Sequence, residues 1–560
     1  MLRRRSGVDR PPIGLRAGVR FGKACRAKSN SRGRFGVESL EPRHLLAFGL
    51  TTNTNSYIVD TGANVVFAIN RTKSLGGSVG DLQSMKYNGT ELEASFSATS
   101  RYSHYESGLS SATIVTATVD PQGNWIKIAC DDTATGGTGV IQYYVARKGF
   151  NNIYMATYAP GPSSPSPGEM RFITYTNHSV LTNAPAPSNL TGNTGAIESS
   201  DVVGFADGTT ASKYYGETEI IDDAYHGLTG GGFGLFMNMG NRESSSGGPF
   251  MKDIDFQTTS AQSTELYNYM FSGHSQTENF RPGLQGPYAL EFTTGGAPAA
   301  VDYSFLENVE LTGWVTAVSR GTLTGMASGA AAGTKMTVGL SSATAQYWTH
   351  PDPTTGAYTI SGIKAGTYTE RLYQDELAIG TRTVTISSSA TTAANITSTL
   401  YTPPAANTVF IIGDWDGTPL GFLNSDKFPN MHTSDSRMTP WVDTTYIIGT
   451  STAAQWPMAE WKDPNLNPSN TIQFNLTAAQ AATAMTLRIG LTRTGVGGRT
   501  TISVNNGQFN SNTPAAPSEP STRGVTLGNW RGNNITYTYN IPTSALHAGT
   551  NTISIGINSG

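Results

Sequence analysis

Sixteen consecutive residues, Leu266-Tyr-Asn-Tyr-Met-Phe-Ser-Gly-His-Ser-Gln-Thr-Glu-Asn-Phe-Arg281, contain two tyrosines, a histidine, a glutamate and an arginine. Such a set can move protons and hold an anionic ligand. Tyr267, Tyr269 and Phe271 also alternate as a strand does, and alternating aromatics commonly cover a core. His274 follows Gly273 where that alternation ends, a position from which an imidazole can enter a cleft. A second stretch, Ala211-Ser-Lys-Tyr-Tyr215, is followed by Asp222, Asp223 and His226. A lone lysine in a polar strand is ordinarily a solvated charge. Asp222 and Asp223, adjacent on a strand, face opposite ways, which argues against a shared metal. Spacing alone leaves open whether either stretch does chemistry or packs.

The elements that must position these residues are strands. Trp125-Ile-Lys-Ile-Ala-Cys130 alternates, placing Ile126, Ile128 and Cys130 on one face. Residues 112–119, 141–147, 153–158, 170–175 and 232–239 are further β-branched or aromatic runs, punctuated by Gly, Pro, Asn and Ser. Charged residues make up only 14% of the chain and glycines number 63, a profile of turn-rich all-β proteins. At 560 residues the chain exceeds one hydrophobic core. Many short strands without intervening helical periodicity predict sandwiches and exclude a parallel α/β sheet.

The expected organisation is a basic leader over 1–46, a large β-sandwich over 47–300, a small sandwich over 305–400 and a last β block over 407–560. Gly295-Gly-Ala-Pro-Ala-Ala300 closes the first block, and Tyr401-Thr-Pro-Pro-Ala-Ala406 is a stiffened linker. Gly356–Tyr368 reads as two strands joined by Gly-bearing turns. Thr477–Met485 is the one helical candidate of the last block.

The net charge of −3 hides two unlike parts. Residues 1–46 carry 12 Lys and Arg against 3 acidic residues, which leaves the remainder at −12. An acidic body excludes nucleic acid as a partner, because phosphate binding needs clustered cations. No apolar run reaches membrane-spanning length. Val37-Glu-Ser-Leu-Glu-Pro-Arg-His-Leu-Leu-Ala47 resembles the Leu-Glu-Pro-Arg-x-Leu-Leu leader near the start of some large secreted bacterial proteins, so a secreted location is expected. The two cysteines are Cys25 and Cys130, too few for a cysteine zinc site.

From Ala47 onward the chain resembles polysaccharide lyase family 4, the rhamnogalacturonan lyases. The resembling stretches include Gly108-Leu-Ser-Ser-Ala-Thr113, Gly168-Glu-Met-Arg-Phe-Ile173, Glu243-Ser-Ser-Ser-Gly-Gly-Pro-Phe250, Ser272-Gly-His-Ser-Gln-Thr-Glu278, Ala345-Gln-Tyr-Trp-Thr349, Trp415-Asp-Gly417 and Arg523-Gly-Val-Thr526. The resemblance implies a galactose-mutarotase-like β-sandwich, a fibronectin-III-like sandwich and a C-terminal jelly-roll resembling carbohydrate-binding modules. It implies Lys213 and His274 as the catalytic pair. It makes Arg171, Tyr267, Tyr269, Glu278, Arg281 and Arg523 substrate-binding candidates, with Arg523 bringing the third domain over the cleft of the first.

Three departures accompany it. The family's disulfide ends at the position of Cys130, but Leu75–Leu82 holds no cysteine to pair with it. A second arginine expected four residues after Arg171 is Tyr175. The chain also ends at Gly560 where relatives continue into a further strand, so an incomplete jelly-roll edge is expected.

The implied reaction is β-elimination at the rhamnose-(1,4)-galacturonate bond of rhamnogalacturonan I, a pectin. A base takes the C5 proton of galacturonate, the bond from C4 to oxygen breaks, and a 4,5-unsaturated uronide remains. Charge gathers on the carboxylate, where Arg171, Arg281 and a protonated His274 are expected to answer it. A lysine of ordinary pKa, about 10.4, is neutral in fewer than roughly one molecule in a thousand at pH 7. Lowering it toward ~8 is worth about 3 kcal/mol. An ordinary histidine is already a competent base near neutrality, so which of the two takes the proton stays open. No catalytic metal or other cofactor is expected; Asp414, Asp416 and Asp435 could contribute to a structural calcium site in the last domain, although solvated loop acids are the ordinary reading of such residues. A monomer is the expected state. The alternative reading is a non-catalytic carbohydrate-binding surface protein of the same fold, with a mutarotase-type epimerase as a third.

Overall fold

A computed structural model describes residues 47–73, 77–94, 102–106, 109–161, 168–258, 260–274, 278–517, 528–530 and 534–559. Residues 1–46 and Arg523 lie outside the described residues. The described chain is built of strands, joined by helical pieces of about one turn. The expected runs form where the alternation places them: Trp125–Asp131, Ile141–Arg147, Asn152–Ala159, Met170–Asn177 and Phe233–Asn238 are all strands. Ile126, Ile128 and Cys130 are buried on one face, as period two requires. The helical candidate shortens to Ala478–Ala481, capped by Thr477.

Among the described residues, three larger sheets and a small three-stranded one, Gly195–Glu198, Val202–Gly204 and Thr210–Ser212, build the first block. A five-stranded meander runs from Gly49–Thr52 to Thr90–Glu91. A seven-stranded antiparallel sheet has Tyr225–Gly230 at one edge and Ile114–Val119 at the other. A four-stranded sheet runs in the order Phe256–Thr258, Ser263–Phe271, Met170–Asn177, His104–Glu106. One continuous core joins the three larger sheets, with Phe67, Leu82, Tyr144, Phe172, Leu266, Tyr288 and Phe292 among its fully buried members. Each such side chain contributes about 1.5–3 kcal/mol by leaving water. Cys130 is a free, buried thiol whose Sγ lies 3.9 Å from the Gly80 carbonyl oxygen. Packing, not a cross-link, holds this corner.

The second block is a sandwich with its own core around Leu323, Val338, Leu372 and Ile386. Its predicted strand pair is present as Ala357–Lys364 and Gly366–Gln374. The third block places Ile472, Phe474, Ile502, Tyr539 and Ile553 inside a five-stranded and a two-stranded sheet.

Two buried joints bind the second block to the first. Glu243 receives Arg320 at 2.7 Å, Lys364 at 2.9 Å and the Tyr347 hydroxyl at 2.6 Å. Burial opposes its charge, but Arg320 and Lys364 hold its pKa down at about 2. The second joint is Arg281. Its Nε donates to the Ser342 carbonyl at 3.0 Å, and one terminal nitrogen serves the Ser245 carbonyl at 3.0 Å and Gln346 Oε1 at 3.3 Å. Arg281 is only 3% exposed and also pairs with Glu278 at 2.7 Å.

The third block reaches the first through Asp435. Its carboxylate accepts hydrogen bonds from the Thr210 N–H and hydroxyl, both at 2.7 Å, and pairs with Arg437 at 2.7 Å. Asp435 is thereby committed, and Asp416 is taken up by the Thr418 turn. Thr210 begins the short strand Thr210–Ser212, so a residue of the last block pins the strand that ends beside Lys213.

Candidate functional site

Register places the site. In the four-stranded sheet Arg171 pairs with Tyr269 on one side and Glu106 on the other, and Ile173 pairs with Tyr267 and His104. Directly paired residues share a face, and so do residues two apart. Arg171, Ile173 and Tyr175 therefore line up with Tyr267, Tyr269, His104 and Glu106. The opposite face carries Phe172 and Leu266 into the core. Alternation that suggested packing thus does two jobs, with core on one side and a polar aromatic floor on the other.

Across that floor the Arg171 guanidinium is bound by Glu106 and the Tyr269 hydroxyl, and by Glu169 at 2.8 Å. It sits over the Tyr267 ring at 5.4 Å and the Tyr269 ring at 5.2 Å, and the two rings stack at 5.7 Å. Burial pushes both phenols above their ordinary pKa, so they stay protonated. Tyr175, standing where the family's second arginine was expected, joins this apolar cluster with Tyr214 and Ile254. Its ring stacks on His104 at 5.9 Å.

His274 closes over one end. Gly273 before it has φ +71°, a left-handed turn that a glycine takes without strain, and the His274 N–H donates to Ser272 Oγ at 3.0 Å. The ring meets Tyr214 edge-on at 5.2 Å and Tyr269 at 6.0 Å. Its Nε2 is 3.0 Å from both Glu169 Oε1 and the Tyr214 hydroxyl, and its Nδ1 is 3.4 Å from Asp253. Burial works against the imidazolium, but the hydrogen bonds to Asp253 and Glu169 outweigh it and push the pKa up to about 9. An ordinary histidine pKa, expected from sequence, is replaced by one that keeps the ring protonated at neutral pH.

Lys213 enters from the other side. Its Nζ pairs with Asp201 at 2.8 Å and lies 5.7 Å from the Tyr214 ring centre. Tyr214 is thus the physical link between the pair, next to Lys213 in the chain and bonded through its hydroxyl to His274. Glu169 is the second link. Its hydrogen bond from His274, reinforced by the charges of Arg171, His274 and Lys213, holds its carboxyl below the usual range although burial opposes.

The structure brings together Lys213, His274, Arg171, Tyr267 and Tyr269 of the expected set. Glu278 and Arg281 behave otherwise. Glu278 Oε2 accepts from the Gly247 N–H at 3.2 Å and pairs with Arg281, and the Arg281 guanidinium points into the joint with the second block rather than toward Arg171. Arg281 cannot neutralise substrate charge from there. Sequence reasoning missed Glu169, Tyr214, Asp253, Asp201 and Glu106. Glu169 and Tyr214 sat inside stretches already singled out, Gly168–Ile173 and Ala211–Tyr215. The adjacent acids Asp222 and Asp223 do point apart, the first to Lys335 at 2.9 Å and the second to Arg242 at 3.0 Å.

Comparison with known proteins gives three family matches along the chain. Residues 48–313 match "Rhamnogalacturonan lyase B, N-terminal", residues 319–394 match "Polysaccharide lyase family 4, domain II", and residues 408–559 match "Polysaccharide lyase family 4, domain III". A protein of Aspergillus aculeatus named rhamnogalacturonate lyase A is 41% identical over 520 residues, covering 92% of this chain and 93% of its own. One of the same name from Emericella nidulans is 39% identical over 519 residues, covering 92% of both chains.

Proposed function

The chain belongs to polysaccharide lyase family 4, and from that premise we propose that it is a rhamnogalacturonan lyase whose β-elimination is carried by Lys213 and His274. One observation bears most of the weight. A single carboxylate, that of Glu169, is bound at once by Arg171 and His274 and lies in the field of Lys213. That is the arrangement a galacturonate carboxylate needs when the proton on the neighbouring carbon is removed. Substrate takes the seat that Glu169 fills in the free protein.

The protonation states assign the roles. With a pKa of about 9, His274 is an imidazolium at neutral pH and can donate but not accept a proton. Lys213, held in place by Asp201, is then the group left to take the C5 proton. The C–H electron pair becomes the C4–C5 double bond, the C4–O bond breaks, and the departing rhamnose oxygen takes a proton from solvent, to which Lys213 later returns the one it received. Arg171 and His274 face the charge that gathers on the carboxylate, where preorganised donors act most strongly. Tyr267 and Tyr269 form the floor beneath Arg171 and hold its guanidinium toward the sugar. The residues of the site all come from one chain, which supports a monomer as the working unit. Its substrate is an extracellular polymer, and we place its work outside the cell.

Incubation with rhamnogalacturonan should generate ultraviolet absorbance from the unsaturated uronide. Lys213→Ala and His274→Ala should each lose about 10²–10⁴-fold in rate while remaining folded. Binding without absorbance would support the non-catalytic alternative. A Lys213→Ala variant more active than His274→Ala would exchange the two roles.

A further inference from the structure

We infer that Glu217, Asp223, Asp255 and His226 form a binding site for one divalent transition-metal cation of the zinc type, at the seam between the seven-stranded and four-stranded sheets. None of these residues takes part in the elimination described above. All four are buried. Donor atoms of Asp223, His226 and Asp255 lie within 4.8 Å of one another.

The spacing suits an ion. His226 Nδ1 is 3.1 Å from Asp223 Oδ1 and 3.7 Å from Asp255 Oδ1. Zinc bonds to nitrogen and oxygen are about 2.0–2.2 Å long, which puts neighbouring ligands of a tetrahedral ion about 3.4 Å apart. The two observed separations straddle that value, so an ion enters with little movement of the side chains. The imidazole is also oriented for it. Nε2 lies 2.7 Å from the Tyr267 carbonyl oxygen and donates there, which turns Nδ1 toward the carboxylates. A metal-bound histidine is typically held by such a carbonyl.

A second, independent observation comes from Glu217. It is only 7% exposed, and its carboxylate has no hydrogen-bonding neighbour other than Asp255. The charges nearest to it are those of Asp255 and Asp223. Burying a carboxylate without a donor is costly, and one placed against two more is costlier still. The cations beside this group are His226 and Arg242, the latter 3.0 Å from Asp223. A proton shared between Glu217 and Asp255, with His226 charged, is the rival arrangement.

The mixed nitrogen and oxygen set selects the metal class. One imidazole with three carboxylates suits zinc or its first-row neighbours, whereas calcium prefers six to eight oxygens. Its place has a structural consequence, because the Tyr267 N–H donates to the Asp255 carbonyl at 3.0 Å and its carbonyl accepts from His226. The ion would brace the strand that carries Tyr267 and Tyr269 from behind.

The test uses the full chain, stripped with a chelator and dialysed against zinc chloride, with metal per chain measured by plasma mass spectrometry and the melting temperature recorded with and without zinc. About one equivalent should be retained, with a rise of several degrees in melting temperature. Glu217→Gln is nearly isosteric. It should fold, melt in its stripped form at or above the stripped parent, and bind zinc at least about tenfold more weakly. His226→Ala should also bind zinc more weakly if it folds, and His547→Ala, which alters an exposed histidine of the third block, should bind as the parent does. Retention of well under ~0.2 equivalents would overturn the site in favour of the shared proton. So would unchanged affinity in Glu217→Gln, and calcium bound in preference to zinc would overturn the metal class.

Discussion

Replacing Glu169 with Gln tests the electrostatics on which the roles depend. His274 titrates at about 9 against an ordinary 6.5, and at 1.36 kcal/mol per pH unit the interval corresponds to about 3 kcal/mol favouring the imidazolium. Two carboxylates supply it against burial. Asp253, with a side chain 10% exposed, takes the larger share, and Glu169, at 35%, is more screened and contributes about 1 kcal/mol. Glu169→Gln should therefore bring His274 down to about 8. At pH 8.5 the imidazolium fraction would fall from about three-quarters to about one-quarter, a threefold loss.

The assay is the pH profile of lyase activity, with the His274 titration followed directly by NMR of labelled histidines. The alkaline limb of kcat/KM reports the free enzyme and should move down by about one pH unit. The limb of kcat reports the complex, where substrate carboxylate has replaced Glu169, and should stay near its original place. Stability follows the same group. Because folding raises this pKa, its contribution is complete below pH 6.5 and is lost as pH rises through about 9, and Glu169→Gln should shrink it. A His274 titration unmoved by the substitution, or one near 6.5 in the parent protein, would refute the reasoning.

Three further outcomes follow from the joints. Asp435→Ala leaves the buried Thr210 N–H without its acceptor, so it should cost about 1–3 kcal/mol and lower kcat by loosening the strand beside Lys213, as measured by urea unfolding and turnover. Glu243→Gln should cost about 3 kcal/mol at pH 7. Its pKa is lowered to about 2, so the difference from the parent should be complete above about pH 4.5 and vanish as pH falls toward 2, read from urea midpoints across that range. Arg281→Ala should destabilise the fold by about 3 kcal/mol through lost buried hydrogen bonds, while the folded fraction keeps its KM for rhamnogalacturonan.

The strands were legible because period two survives in residues such as Ile126, Ile128 and Cys130, whose burial depends on one sheet face alone. Lys213 and His274 were legible only through the family's motifs, since neither spacing nor composition joins residues sixty apart. Arg281 shows the limit of that route. A motif carries residue type and order, but the direction of a guanidinium depends on Ser342 and Gln346, which belong to another block. Glu169, Asp253 and Asp201 were illegible for a related reason. Each is an ordinary surface-type carboxylate until the sheets close and give it a cationic neighbour. The third block's reach into the site was expected at Arg523, and the contact described is made by Asp435, whose local pattern suggested a solvated loop acid or a contributor to a calcium site.

The lone thiol at Cys130 carries a practical consequence. Where relatives are expected to be stapled, this corner can be alkylated only when the Trp125–Asp131 strand lifts off its neighbours. The rate at which a maleimide reaches the peptide bearing Cys130 therefore clocks the opening of the large sandwich, without any engineered label. The same absence of a cross-link lets this sandwich mature in a reducing compartment, so its yield should not depend on an oxidant.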